Sequence, residues 1–390
     1  RSDRSFTFFL LGSVSMSVIH RLMATAATAA LTVGAGFVTM APVSASASPS
    51  TFIGQFSKLK TIASTVPGNG DVNPYGIAVV GLNRGKLHRG DILVSNFNNK
   101  ANLQGTGTTI VQVSPGGQQT LFAHITRTKL TGPCPGGVGL TTALEVLRGG
   151  WVVVGSTPSK NGMAATAKAG CLIVLDSRGT VRETISGHGI NGPWDMAALR
   201  QGLDADLFVT NVLNGTVAAK GAVVNRGTVL RLLVRTYWNS PPKLLAVTKI
   251  GSGFSEQTNA AAFILGPTGV GLDSNGTLYV ADTGENRITG IPYAATRTSS
   301  AGTGFVLTSG GRLNAPLGLA IAPNGDVLTV NGGNGRIVET STGGTQVAHR
   351  FLDSSGSPPG SGALFGLAVA PHDGGVYYVD DATNTLRLLH

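Results

Sequence analysis

The 390-residue chain carries 29 Lys and Arg against 19 Asp and Glu, a formal charge of +10, yet only 12% of its residues are charged. This makes it a moderately basic protein and not a polycation; the excess attracts anionic partners at long range and fixes nothing about fold. The 56 glycines collect at turns and strand starts, and no stretch beyond the first 47 residues holds a 3.6-residue apolar period, so helix should be scarce.

Residues 1–47 read as an over-extended start followed by a secretory leader. From Met16 a short basic start (His20, Arg21) leads into an apolar run from Leu22 to Met40, then Ala-x-Ala choices at Ala45 and Ala47. Cleavage after either alanine gives an exported chain; the alternative is a retained anchor, since the run approaches the ~20 residues needed to span a bilayer. Cleavage would leave no membrane span and a balance of 26 basic to 18 acidic residues. Residues 48–56 are read as a linker and 57–390 as one domain.

The domain begins with a strand-like segment, Ser57–Ser64. Six copies of one layout come after it: a Pro-x-Gly turn or its equivalent, a short apolar strand, a tight turn, and a second strand ending in Asp or Asn. The pairs are Asn73–Val79 with Asp91–Asn96, Thr141–Leu147 with Trp151–Ser156, and Gly192–Ala198 with Asp206–Asn211. The fourth copy, Gly266–Ile288, has the clearest layout. Ala315–Ile321 with Asp326–Asn331 and Ala363–Val369 with Val376–Asp381 complete the series. Strands rich in Val, Ile, Leu, Tyr and Phe between Gly, Asn, Asp and Pro make β-hairpins, and a unit this short must stack on its neighbours. Copies one to five have room for four strands each. The sixth runs out after three at Thr385–His390, and Ser57–Ser64 can supply the fourth, which removes two raw sheet edges. The expected fold is therefore all-β, a six-bladed β-propeller closed by an N-terminal strand.

This layout resembles the NHL-repeat propellers and, more loosely, the six-bladed regucalcin/gluconolactonase group, over nearly all of residues 57–390. In the latter group, the resemblance implies a catalytic divalent metal held near the channel centre by carboxylate and amide side chains. The corresponding positions here are Tyr75, Thr142, Trp194, Thr268, Leu317 and Phe365. With no carboxylate among them, no metal or other cofactor is expected. They form either an amphipathic aromatic floor for a ligand or a simple plug of the channel.

Cys134 precedes the first strand of the second copy and Cys171 begins its third, at the same end of an antiparallel meander; a disulfide is expected, against the alternative of two small core residues. Three long inner loops, Phe97–Gly107, Thr157–Ala169 and Val212–Arg226, carry Lys100, Lys160, Lys168, Lys220 and Arg226 and no Asp or Glu. They predict a basic wall over three adjacent blades. Asx residues ending second strands commonly satisfy nearby backbone; Asn96 and Asn211, each opening a long loop, are the exceptions expected to face a ligand, with Asn98 and Lys100 beside the first. Two carboxylates break the pattern: Glu145 stands where other copies have Gly or Ala, and Asp195 where most have Gly. Buried near an axis, they would be desolvated and are the candidate acid and base. Should Gly137–Leu140 be the inner strand instead, Glu145 moves outward.

There is no G-x-S-x-G elbow, P-loop or H-x-x-x-H spacing. The expected function is that of a secreted or cell-envelope binding module. Its partner would be an extracellular or envelope glycan, or a protein, with an anionic ligand favoured and nucleic acid not expected. Contact would run through Tyr75, Asn96, Asn98, Lys100, Trp194, Asn211 and Phe365. The alternative is a hydrolase or lyase, lactonase-like, using Glu145 and Asp195.

Overall fold

Each sequence copy folds into one antiparallel sheet, and six sheets succeed one another round an axis. The computed structural model describes residues 51–390; the leader and its cleavage sites at Ala45 and Ala47 lie outside the described residues. Blade 1 runs Val72–Val79, Ile92–Asn98, Thr109–Val113 and Gln119–His124 from the axis outward. Blade 2 continues as Leu140–Leu147, Trp151–Ser156, Cys171–Leu175 and Val181–Ile185. In blade 6 the strands Leu364–Val369, Val376–Asp380 and Thr385–Leu389 are completed by Leu59–Ser64, with Leu59 opposite Leu389 and Ser64 opposite Thr385.

Second and third strands are apolar on both faces because both faces of a blade meet a neighbour; Ile92–Asn98 and Cys171–Leu175 are buried throughout. The apolar cores therefore lie in the clefts between blades, such as Ile92, Val94, Tyr377 and Val379 between blades 1 and 6. Neighbouring inner strands approach closely, which explains the Pro-x-Gly glycine. A Cβ on Gly318 would stand 2.0 Å from the Phe365 carbonyl oxygen, and one on Gly366 would stand 2.3 Å from that of Tyr75. Hydroxyl groups tie the same seam: Ser95 Oγ donates to Thr141 O at 2.7 Å and Thr210 Oγ1 to Thr268 O at 2.9 Å.

Two features depart from the sequence expectation. Blade 3 has a fifth, short strand: the long fourth strand, Lys243–Asn259, turns back to pair with Phe263–Leu265. The supposed linker is also not free over its described part. Phe52 and Ile53 are buried in the core between blades 5 and 6, and a 3-10 turn spans Ile53–Gln55. Their backbone N–H groups donate to the Oε1 and Oε2 of buried Glu339 at 2.6 and 2.8 Å, and Arg350 holds the Phe56 carbonyl. Short apolar residues ahead of a repeat carry no periodicity, so only the tertiary partner reveals their place.

Cys134 and Cys171 form a disulfide, with sulfurs 2.09 Å apart. Among the described residues no helix is long and apolar enough to cross a membrane.

Candidate functional site

The loops leaving the second strands gather at one end of the bore, here called the loop end; the tight turns joining first to second strands mark the opposite, turn end. The three long loops place Lys100, Lys160, Lys168, Lys220 and Arg226 as exposed side chains on blades 1 to 3. The bore beneath is closed on that side by aromatic rings. Tyr75 stacks on Phe97 with centroids 4.4 Å apart and on Phe365 at 4.0 Å. Trp194 meets Phe97 edge-on at 5.6 Å. The fifth strand of blade 3 adds Phe263, stacked on Trp194 at 6.4 Å and edge-on to Phe97 at 5.4 Å.

Tyr75 and Trp194, read from the sequence as either a ligand floor or a plug of the channel, are 2% and 3% exposed. They stop the channel together with Phe97 and Phe263. Sequence gives no signal for those last two residues, because neither occupies the repeated central position. The hairpin covers the channel over blades 1 to 3 and leaves a pocket of about 400 Å³ over blades 4, 5, 6 and 1. Half-buried Phe365 lies in it, backed by Tyr75. Its polar lining is amide-rich: Asn73, Asn98, Asn102 and Gln104 on the blade 1 side, Asp381 from blade 6 and Thr283 from blade 4. Asn98 Nδ2 donates to Asn102 Oδ1 at 2.6 Å, and Gln104 Nε2 to the hairpin carbonyl of Ala261 at 2.9 Å. The Oδ1 of Asn73 and Asn98 and the Oε1 of Gln104 have no partner among the described residues. Burial, and then the neighbouring Asp380, push the Asp381 carboxyl up to about 7. Asp381 in turn adds to the burial that raises the Tyr75 hydroxyl.

Asn96 and Asn211 do not face this pocket. Both are fully buried; Asn96 Nδ2 donates to Thr65 O at 3.0 Å, and Asn211 Oδ1 accepts from Asn191 N at 3.2 Å. Like Asp282 and Asp380, which pair with Arg287 and Arg387 at 2.8 Å, they finish strand ends. A long loop alters the chain beyond such a residue, not the backbone groups it must satisfy.

The two unusual carboxylates lie at the turn end of the bore. Leu140–Leu147 is the inner strand of blade 2, which brings Glu145 into the ring of Ala78, Ala197, Ala320 and Ala368 lining a cavity of about 320 Å³. Asp195 opens on the same cavity. Both are half-buried. Glu145 binds Arg200 at 2.5 Å, while Asp195 accepts the N–H of Val270 at 3.1 Å. Burial is the main cause raising both carboxyls. Arg200 opposes the rise at Glu145; with only backbone N–H groups to counter it, and Glu145 adding to it, Asp195 reaches about 7.

A hard divalent cation takes several oxygen ligands, commonly carboxylates. The six central positions offer none, and the loop-end pocket has Asp381. Among the described residues no three His, Cys, Asp or Glu side chains gather to hold an ion. The residues do not fit the metal of the lactonase group.

The NHL repeat profile matches residues 265–291, which run from the end of the blade 3 hairpin through the first three strands of blade 4. No curated protein sequence matches the chain significantly. Among solved structures it is similar to a gluconolactonase from Xanthomonas campestris, at 14% identity over 85% of this chain and 88% of that one, with a TM-score of 0.52. It is also similar to the calcium-binding protein regucalcin from Agrobacterium tumefaciens, at 12% identity over 84% and 93%, TM-score 0.51. A luciferin-regenerating enzyme matches at 13% identity over 83% and 94%, TM-score 0.52. At these identities the likeness establishes the fold alone, a six-bladed β-propeller, and the NHL repeat is matched in one stretch of it.

Proposed function

We propose that the protein is an extracellular or cell-envelope binding module whose ligand is a glycan seated in the loop-end pocket. The observation that carries this reading is the pairing of a ring face with an amide-rich wall. Phe365, stiffened by its stack on Tyr75, offers a flat apolar surface to the C–H face of a sugar. Asn73, Asn98, Asn102, Gln104 and Asp381 offer both donors and acceptors to its hydroxyls, the combination of an apolar body and few polar groups that fixes orientation in small-ligand sites. The basic wall at Lys100 and its neighbours favours an envelope polymer bearing negative charge. The disulfide accords with an oxidising compartment.

The test is a glycan and envelope-polymer array on the purified chain, with Phe365→Ala, Asp381→Asn and Lys100→Ala. Loss of the stacking ring is expected to weaken a hit at least tenfold. Lys100→Ala should weaken charged hits at low salt and leave neutral glycans unchanged. Equal binding by wild type and Phe365→Ala on every hit rejects the pocket.

A second reading is a hydrolase or lyase, lactonase-like, at the turn end. It rests on Asp195 and Glu145 sharing one cavity while their surroundings differ: Glu145 is paired with a cation and Asp195 is held near neutrality, as a general base or acid requires. Turnover of lactones or esters that is abolished in Asp195→Asn, with a pH profile breaking near 7, would favour it over the glycan module. Wild-type-like turnover in Asp195→Asn would remove it.

A further inference from the structure

The turn-end face carries a second feature, toward its rim and apart from the carboxylate cavity. Four connections from three adjacent blades meet there: the turn at Arg84–Leu87 in blade 1, Arg148–Gly150 and the turn at Asp176–Thr180 in blade 2, and the segment before Lys243 in blade 3. They enclose a pocket of about 280 Å³ lined by Arg84, Asp176, Arg178, Arg182 and Trp238. The loops are fastened to each other. Lys86 N donates to Ser177 O at 2.8 Å, Trp151 Nε1 to Tyr237 O at 2.6 Å and Arg84 Nη2 to Trp238 O at 2.6 Å. Gly85 has φ +57°, and a Cβ there would stand 2.6 Å from Ser177 O.

The charge in this pocket is unbalanced. Asp176, its one carboxylate, spends Oδ1 on the N–H groups of Arg178 and Thr180 at 2.9 and 3.1 Å. Its Oδ2 is 3.9 Å from Arg182 Nε, a loose pair. Among the described residues Arg178 has no carboxylate partner, and the buried Arg84 Nη1 has no acceptor. Guanidinium groups of Arg84 and Arg148 lie 5.2 and 5.5 Å from the centre of the Trp238 ring. The Trp238 side chain is nevertheless left open, 54% exposed, whereas Trp151 and Trp194 are 5% and 3% exposed. A buried donor without acceptor costs free energy unless a ligand supplies one. Planar guanidinium forks are matched to carboxylate and phosphate oxygens.

We propose that this pocket binds an acidic sugar unit, its oxyanion held by Arg84, Arg178 and Arg182 and its ring lying against Trp238. A uronate carboxylate and a sugar phosphate present the same oxyanion chemistry to three guanidinium groups. The site lies at the opposite end of the bore from the glycan pocket and does not depend on it, so a charged polymer would be gripped at two ends of the molecule.

Titration calorimetry on the full chain, with trigalacturonate, glucose 6-phosphate, inorganic phosphate and methyl-esterified trigalacturonate as probes, tests it. Trigalacturonate or glucose 6-phosphate is expected to bind, to quench Trp238 fluorescence, and to weaken steeply as salt is raised from low to several-fold physiological. Whichever of the two binds identifies the source of the oxyanion. Arg178→Gln/Arg182→Gln, both exposed positions, should weaken that binding at least tenfold with an unchanged melting temperature. Trp238→Ala should weaken the sugar acid but leave inorganic phosphate unaffected. The proposal is overturned if neither acidic probe binds more tightly than the methyl ester. It is equally overturned if the double arginine variant binds as the wild type does, or if Phe365→Ala, at the other pocket, removes the binding instead.

Discussion

Replacing Glu339 by Ala should unlock the segment ahead of the first strand. Glu339 is fully buried and its two oxygens accept the N–H groups of Phe52 and Ile53 at 2.6 and 2.8 Å; Oε1 also takes Asn324 Nδ2 at 3.1 Å. Deleting the carboxylate leaves two buried amides without acceptors, at about 1–3 kcal/mol each. The chain can avoid that cost by releasing the segment, which forfeits the burial of Phe52 and Ile53, about 1.5–3 kcal/mol per side chain. Both routes converge on a loss of about 3–5 kcal/mol. Glu339→Gln keeps the shape and one acceptor oxygen but turns an N–H donor toward the second amide, so it should fall between Ala and wild type. Urea unfolding gives the energy, and amide exchange at Phe52 and Ile53 gives the place. If Glu339→Ala stays within about 1 kcal/mol of wild type and both amides remain protected, the latch does not hold the segment.

Reduction of the disulfide, or Cys134→Ser with Cys171→Ser, frees a loop with a sequence separation of 37; chain-entropy arguments put the loss at about 4 kcal/mol, read as a lower urea midpoint. Stability should fall as pH rises. Asp195, Glu256 and Asp381 are raised by burial to about 7 and Asp326 to about 6, so between about pH 4 and 7 the folded chain binds more protons than the unfolded one. Asp204, lowered by Arg235, titrates below that interval. Among the described residues the one opposing group within it is His349, lowered by burial and by Arg312 and Arg336, set against four raised carboxyls. The melting temperature should thus be higher at about pH 5 than at about pH 8, and Asp195→Asn should flatten the difference; a melting temperature that climbs over that interval contradicts the assignment. Phe263→Ala should cost about 3–5 kcal/mol and make Trp194 accessible to acrylamide, a second quenchable tryptophan beside Trp238.

The blade pattern was legible because each turn has its own chemistry. Gly269, Gly318 and Gly366 sit where a neighbouring carbonyl leaves no room for a Cβ, and that demand repeats with the copies. The Cys134–Cys171 disulfide was legible because the meander brings both residues to one end of blade 2 and an exported chain favours the bond. Glu145 and Asp195 stand out as departures from the repeat, and the structure gives them one cavity. Features the repeat does not encode stay hidden. Phe263 reaches the axis from an extra hairpin, at positive φ (63°), and no spacing rule predicts a side chain delivered that way. Asp381 and Gln104 line one pocket only because loops of different length bend toward each other over the bore. The arginines of the turn-end rim come from connections far apart in the chain, each unexceptional by itself. Tyr75 and Trp194 belong at the centre, as their repeat position implies, but whether a central ring is open or covered depends on the hairpin above it.

Pairing Leu59–Ser64 with Thr385–Leu389 sets an order on assembly. Five of the blades can form from residues near one another in sequence, whereas the seam joins the two ends of the domain, the kind of long-range contact that slows folding. Until it shuts, the nascent molecule is an open arc with two uncovered borders, each able to recruit another chain. A variant that weakens the seam would therefore reveal itself first in yield and aggregation during refolding, before any change in the finished ring could be measured.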